Sequence, residues 1–142
     1  MYPCESKNVL DKHEIRNSKQ IPMTEIQNSK QYDLEDRTFA FAFRVRAFVR
    51  QIAKTVANGE DGKQLIRSSG SVGANYIEAN ESLSKKDFVM RVKICRKEAK
   101  ESRYWLRLID VQGNHDLEKE RSSLFREATE LMMIVASIIR KS

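Results

Sequence analysis

The feature that most constrains this chain is a rhythm. Phe88, Val92, Cys95, Ala99, Ser102, Leu106 and Ile109 follow one another at steps of 4 and 3. An α-helix turns once in ~3.6 residues, so these steps put all seven on one side. Most of them are apolar, and a helix with such a stripe is stable in water only when another element covers it. Leu117, Leu124, Ala128, Leu131, Val135 and Ile138 repeat the rhythm, with Arg121 as the one departure. Upstream, Ala42, Val45, Val49, Ile52 and Val56 keep it, with Phe41 and Phe48 widening the stripe. Leu65, Ser69, Val72, Tyr76 and Ala79 make a fourth. No segment alternates at period two, as a half-buried strand would.

The breaks between stripes carry turn chemistry. "ANGEDG" at 57–62 predicts a stop, with Gly59 as the residue just past a helix end. Ser84, three residues before Asp87, approximates a capping box. "QGNHD" at 112–116 interrupts the last pair, with Asp116 as the expected N-cap. Helices are thus predicted over about 34–58, 63–81, 84–111 and 116–140. Four long helices on short loops define an all-α protein, an antiparallel up-down-up-down four-helix bundle.

The first 32 residues are poor in apolar side chains and contain both prolines, Pro3 and Pro22. They include a near-repeat, "EIRNSKQ" at 14–20 and "EIQNSKQ" at 25–31. This segment reads as a flexible tail, with Met23 an alternative start. Cys4 and Cys95 follow no metal spacing, which points to a reducing compartment. No apolar signal region and no run near the ~20 residues of a membrane span are present, so the expectation is a soluble cytoplasmic protein.

"SSGSVGANYIEAN" at 68–80 resembles a phosphate loop at first sight. It lacks the Gly-Lys-Ser/Thr ending, a preceding strand and a third glycine. Small residues on a helix instead predict close approach by a neighbour, because glycine inside a helix costs ~1 kcal/mol against alanine and needs a reason. Metal chemistry in a bundle calls for Glu-x-x-His on two helices. Glu98-x-x-Glu101 and Glu127-x-x-Glu130 have the spacing without the histidine. The two histidines, His13 and His115, fall in the tail and in a loop. No catalytic set, metal site or cofactor is therefore expected. Arg67, Ser71, Asn75 and Glu78 share one face of the second helix, opposite Lys97, Glu98 and Glu101 on the third. They predict a polar network that fixes helix register.

The net charge is +6, and it is unevenly placed. Residues 84–112 carry nine basic against four acidic residues. Lys93, Arg96, Lys97, Lys100, Arg103 and Arg107 run along one side of the third helix. Arg46, Arg50 and Lys54 are spaced four apart near the end of the first. If these faces adjoin, they form a positive surface able to follow an RNA or DNA backbone. With no ladder of aromatics, sequence-specific readout is not indicated. The alternative is a protein–protein adaptor whose charge meets an acidic partner, for example a polymerase.

At "SVGANYIEA", "SKKDF", "KEAKES" and "YWLRLI", with "YDLEDRT" opening the first helix, the chain resembles a bacterial family of four-helix bundles. That family is named for the 23S rRNA intervening-sequence protein. The resemblance runs from about Tyr32 to the C-terminus; at Ser68-Ser69-Gly70 this chain departs, where relatives often carry alanine. It implies a small non-enzymatic bundle assembling as a homopentamer. It also implies kinship with the accessory protein of diversity-generating retroelements, which engages a reverse transcriptase and nucleic acid. A ring is compatible with the residues, since one core cannot cover every apolar side chain. Ile94, Trp105 and Leu108 on the third helix, and Phe125, Met132 and Ile139 on the fourth, lie beside the main seam and are expected at the subunit contact.

Overall fold

The computed structural model describes residues 26–142, with side chains from Leu34 onward. Cys4, His13, Met23 and the first copy of the near-repeat lie outside the described residues. The chain divides into two compact units, Met1–Leu34 and Glu35–Ser142. Of the first, the described part is helical. The second is built from four helices: α1 (Ile26–Gln51, from Glu35 on), α2 (Val56–Asn80), α3 (Lys85–Leu108) and α4 (His115–Lys141). No strand occurs among the described residues. Helices α2 to α4 have 25, 24 and 27 residues, about 36–40 Å each at ~1.5 Å per residue.

The cross-helix contacts fix the arrangement. Thr38 faces Gly73 and Val49 faces Gly62, so α1 and α2 run antiparallel. Arg67 meets Glu101 and Asn75 meets Arg91, so α2 and α3 do too. Arg103 reaches Met132 and Arg121 reaches Leu106 across the α3–α4 pair. Arg37 bonds Glu127 and Arg44 bonds Glu120, which closes α4 onto α1. The four helices form a cycle, an up-down-up-down bundle with α1 and α3 at opposite corners.

The core follows the rhythm closely on three helices. Val92, Cys95, Ala99, Ser102, Leu106 and Ile109 are buried, as are Leu117, Leu124, Ala128, Leu131 and Val135. All five members of the predicted α2 stripe are buried. On α1 the face is rotated. Phe41, Val45 and Phe48 are buried, as is Ile52 just past the helix end, while Ala42 and Val49 lie on the flank and Val56, which opens α2 instead, is exposed.

That rotation accompanies a correction to the first boundary. "ANGEDG" does not stop a helix; it lies inside α2. The break falls at residues 52–55. Thr55 is the N-cap, its side chain accepting from the Asn58 N–H at 3.1 Å. At its other end α1 begins at Ile26, so residues 26–32 of the expected tail are helical. The N-cap of α4 is Asn114 rather than Asp116, which sits in the first turn beside Glu118. Ser84 does cap α3, accepting from the Asp87 N–H.

Asn58, read as part of a stop, uses its side chain in three hydrogen bonds. It is buried, and its amide donates to the carbonyls of Ala53 and Asp110, both at 3.0 Å. Its own oxygen accepts from the Asp110 N–H at 3.0 Å. The α1–α2 and α3–α4 connections are thereby tied together. Each buried backbone group left without a partner costs ~1–3 kcal/mol. Asn58→Ala is expected to lower unfolding stability by roughly 2–4 kcal/mol on that basis. Urea unfolding checks this, and Thr55→Ala, removing a single cap bond, should cost only about 1 kcal/mol.

The glycines of α2 answer to α1. A Cβ on Gly73 would stand 2.9 Å from Thr38 Oγ1 and 3.2 Å from Thr38 Cβ. Thr38 cannot yield, being buried, β-branched and bonded to the Glu35 carbonyl. At Gly70 the nearest atom is the end of the long Arg46 side chain, at 3.3 Å. Gly73→Ala should therefore destabilise by about 1–3 kcal/mol despite its better helix propensity. Gly59→Ala, with nothing nearby, should stabilise by up to ~1 kcal/mol. Thermal melts of the pair test both signs.

Candidate nucleic-acid interface

Helix α3 turns one side to the core and the other to solvent. Lys93, Arg96, Lys97, Lys100 and Arg107 are all exposed. The acids that the sequence places among them point elsewhere. Glu98 is buried at 6% exposure, and Glu101 reaches across to α2. Both bind the same arginine: Arg67 Nη1 lies 3.7 Å from Glu98 and Nη2 lies 2.8 Å from Glu101. Lys97 also approaches Glu98, at 3.8 Å. Lys93, Arg96, Lys100 and Arg107 make no ion pair with any described residue. The face is more cationic than its residue count suggests.

The polar network exists, but it is smaller and differently wired than expected. Arg67, Glu98 and Glu101 form one cluster. Next to it Ser68 and Ser102 share a buried hydrogen bond of 2.9 Å, which lets α2 and α3 approach closely. Asn75 does not join Glu98 and Glu101; its oxygen accepts from Arg91 at 3.1 Å and its amide donates to the Ser71 carbonyl. Ser71 contributes through its backbone, and Glu78 is exposed with no side-chain partner among the described residues.

Glu127 and Glu130 on α4 repeat the motif. Arg37 forks onto Glu127 at 2.8 and 3.1 Å and reaches Glu130 at 3.1 Å. The Glu127 bond pushes the Arg37 guanidinium pKa above its ordinary value. Both Glu-x-x-Glu pairs thus clasp one arginine from a neighbouring helix. Among the described residues no three His, Cys, Asp or Glu side chains gather as a metal site would require.

Several predicted site residues fall elsewhere. Arg103 leaves the stripe: its guanidinium lies 4.7 Å over the Phe125 ring and donates to Met132 Sδ at 3.5 Å. One position before Tyr104, it is turned by ~100° towards α4. Phe125 and Met132, expected at a subunit contact, meet Arg103 of their own chain. Ile94, Trp105 and Ile139 are half-buried, and Leu108 is exposed. Trp105 Nε1 is buried and bonds to no described residue. On α1, Arg46 lies against α2, bonding the Ala42 carbonyl and covering Gly70. Arg50 and Lys54 are exposed, with Lys54 in the turn after α1. The two basic faces do not adjoin, because α1 and α3 occupy opposite corners.

Arg121 explains its place in the apolar rhythm of α4. It donates to the carbonyls of Leu106 and Ile109, among the last of α3, and pairs with Glu118. The last carbonyls of a helix have no partner within it, and a cation there also meets the negative end of the helix dipole. The bond from Arg121 holds the Glu118 carboxyl below its usual range.

The 23S rRNA-intervening sequence protein family matches residues 30–137, and the chain belongs to it. A solved structure from Bacteroides thetaiotaomicron, a protein of unknown function from the S23 ribosomal protein family, is similar at TM-score 0.67. The two are 30% identical, over 78% of this chain and 98% of that one. No curated protein matches. No helix among the described residues is long and apolar enough to cross a membrane.

Cys95 sits in the seam with no exposure, and burial pushes its thiol up to about 12 from 9.0. The unfolded thiol ionises first as pH rises, so Cys95 contributes stability below pH 9.0 that is lost between there and about 12. In urea titrations at neutral pH and at about pH 10, the loss should be smaller for Cys95→Ala than for the parent. In a Cys4→Ser background, the native protein should also resist maleimide labelling until unfolded.

Proposed function

We propose that this protein is a non-catalytic, self-assembling bundle that binds RNA or DNA without strong sequence preference. The observation that carries the reading is the outer face of α3. Lys93, Arg96, Lys97, Lys100 and Arg107 are exposed there, while Glu98 and Glu101, the acids interspersed among them, are turned towards Arg67. Phosphate contacts release counterions, and each contributes ~0.7–0.9 to the slope of log affinity against log salt. Such contacts position a nucleic acid without reading its bases. The family name makes ribosomal RNA the first target to try. Self-assembly is supported by Ile94, Trp105 and Ile139, large apolar side chains beside the main seam that their own chain leaves half-buried.

The chain should bind 23S rRNA fragments at low salt and lose affinity steeply as salt rises. Lys93→Glu with Lys97→Glu and Lys100→Glu should abolish binding at moderate salt and lower the slope by roughly two to three. Absence of binding at low salt, or indifference to the triple reversal, would falsify the reading. Light scattering should give a mass of several chains, and a monomer at micromolar concentration would remove self-assembly from it.

A further inference from the structure

The cationic face of α3 is interrupted by an apolar island. Tyr104 is 55% exposed and Leu108, one turn on, is 47% exposed. Lys97 and Lys100 precede Tyr104 on the same side and Arg107 follows it. The phenol ring is held edge-on to the Trp105 indole, with centroids 5.0 Å apart and planes at 77°. A tyrosine hydroxyl can bond a duplex phosphate, but the ring face has nothing to stack on in a duplex, whose base faces are stacked inside. A single strand offers those faces, and stacking on an aromatic side chain is how proteins take them up. A ring already braced by a neighbour loses little freedom on stacking.

We propose that the outer face of α3 takes single-stranded nucleic acid, with one base stacked on Tyr104 and the adjoining phosphates on Lys93, Lys97, Lys100 and Arg107. This rests on the nucleic-acid reading above and narrows it to unpaired strands. The cations span roughly 21 Å of helix at ~1.5 Å per residue, enough for a few nucleotides. The acids nearest the ring do not oppose the strand: Glu101 is engaged by Arg67, and Glu98 is buried.

The test is fluorescence anisotropy with labelled oligo(rU), oligo(dT) and an RNA duplex of equal phosphate count. Tyr104→Ala should weaken both single strands about tenfold, the ~1.4 kcal/mol of one lost stack. Tyr104→Phe should restore affinity, and duplex binding and the salt slope should be unchanged in both variants. Trp105, the only tryptophan, should be quenched when oligo(rU) binds the parent protein. Unchanged oligo(rU) affinity in Tyr104→Ala overturns the stack. So does equal weakening of single strands and duplex, or a change in the light-scattering mass, which would mean that a second copy covers the ring. If the Lys93, Lys97 and Lys100 reversal abolishes binding while Tyr104→Ala does nothing, the stack alone is lost. If the parent binds no probe at low salt, the broader reading falls with it.

Discussion

The close approach on both sides of α2 is the constraint from which the rest of the bundle follows. Gly73 lets Thr38 of α1 come within a distance that any Cβ would forbid. On the other side Ser68 and Ser102 meet through one short hydrogen bond. A helix with thin flanks brings its neighbours' backbones in, and each neighbour must then present small or precisely shaped side chains in return. This sets the registers of α1 and α3 against α2. The larger residues, Phe41, Phe48, Leu106 and Leu124, are left to fill the centre.

Around that centre the bundle handles charge in one repeated way. Glu98 with Glu101 and Glu127 with Glu130 each close on a single arginine from the next helix. Arg37 faces two carboxylates, and Arg67 with Lys97 faces two more, so neither cluster carries a positive excess and the clasps do not account for the basic character of the protein. The excess positive charge lies outside them, and on α3 it gathers on a single face. Partly exposed ion pairs contribute little to stability. Their plainer effect is to sort charge, by drawing Glu98 and Glu101 of α3 to one side.

Much of the fold was legible because periodicity records burial directly. The seams of α3 and α4 and the stripe of α2 appear in the structure almost residue for residue. The errors have a common origin: local chemistry admits two readings, and tertiary contacts choose between them. "ANGEDG" has the composition of a stop, yet Thr55 before it and Asn58 within it start a helix instead. The signal was a threonine three residues ahead of an asparagine, weaker than two glycines. Arg121 looked like a flaw in the rhythm, because a sequence does not show which carbonyls lack partners. Arg103 has the spacing of the stripe, but its length lets it fold over Phe125. The Glu-x-x-Glu spacing was visible, whereas the arginine each pair would hold was predicted only for Arg67. Tyr104 was passed over because a single aromatic makes no pattern.

The link through Asn58 has a kinetic consequence. Its partners on Asp110 lie 52 positions away in sequence, in the connection between the other two helices. Neither helical hairpin makes these bonds alone; they form only when both have docked. Loop-closure entropy places such a contact late on the folding path. The Asp110 amide therefore reports completed assembly, and its exchange with solvent water tracks separation of the two hairpins rather than fraying of any one helix.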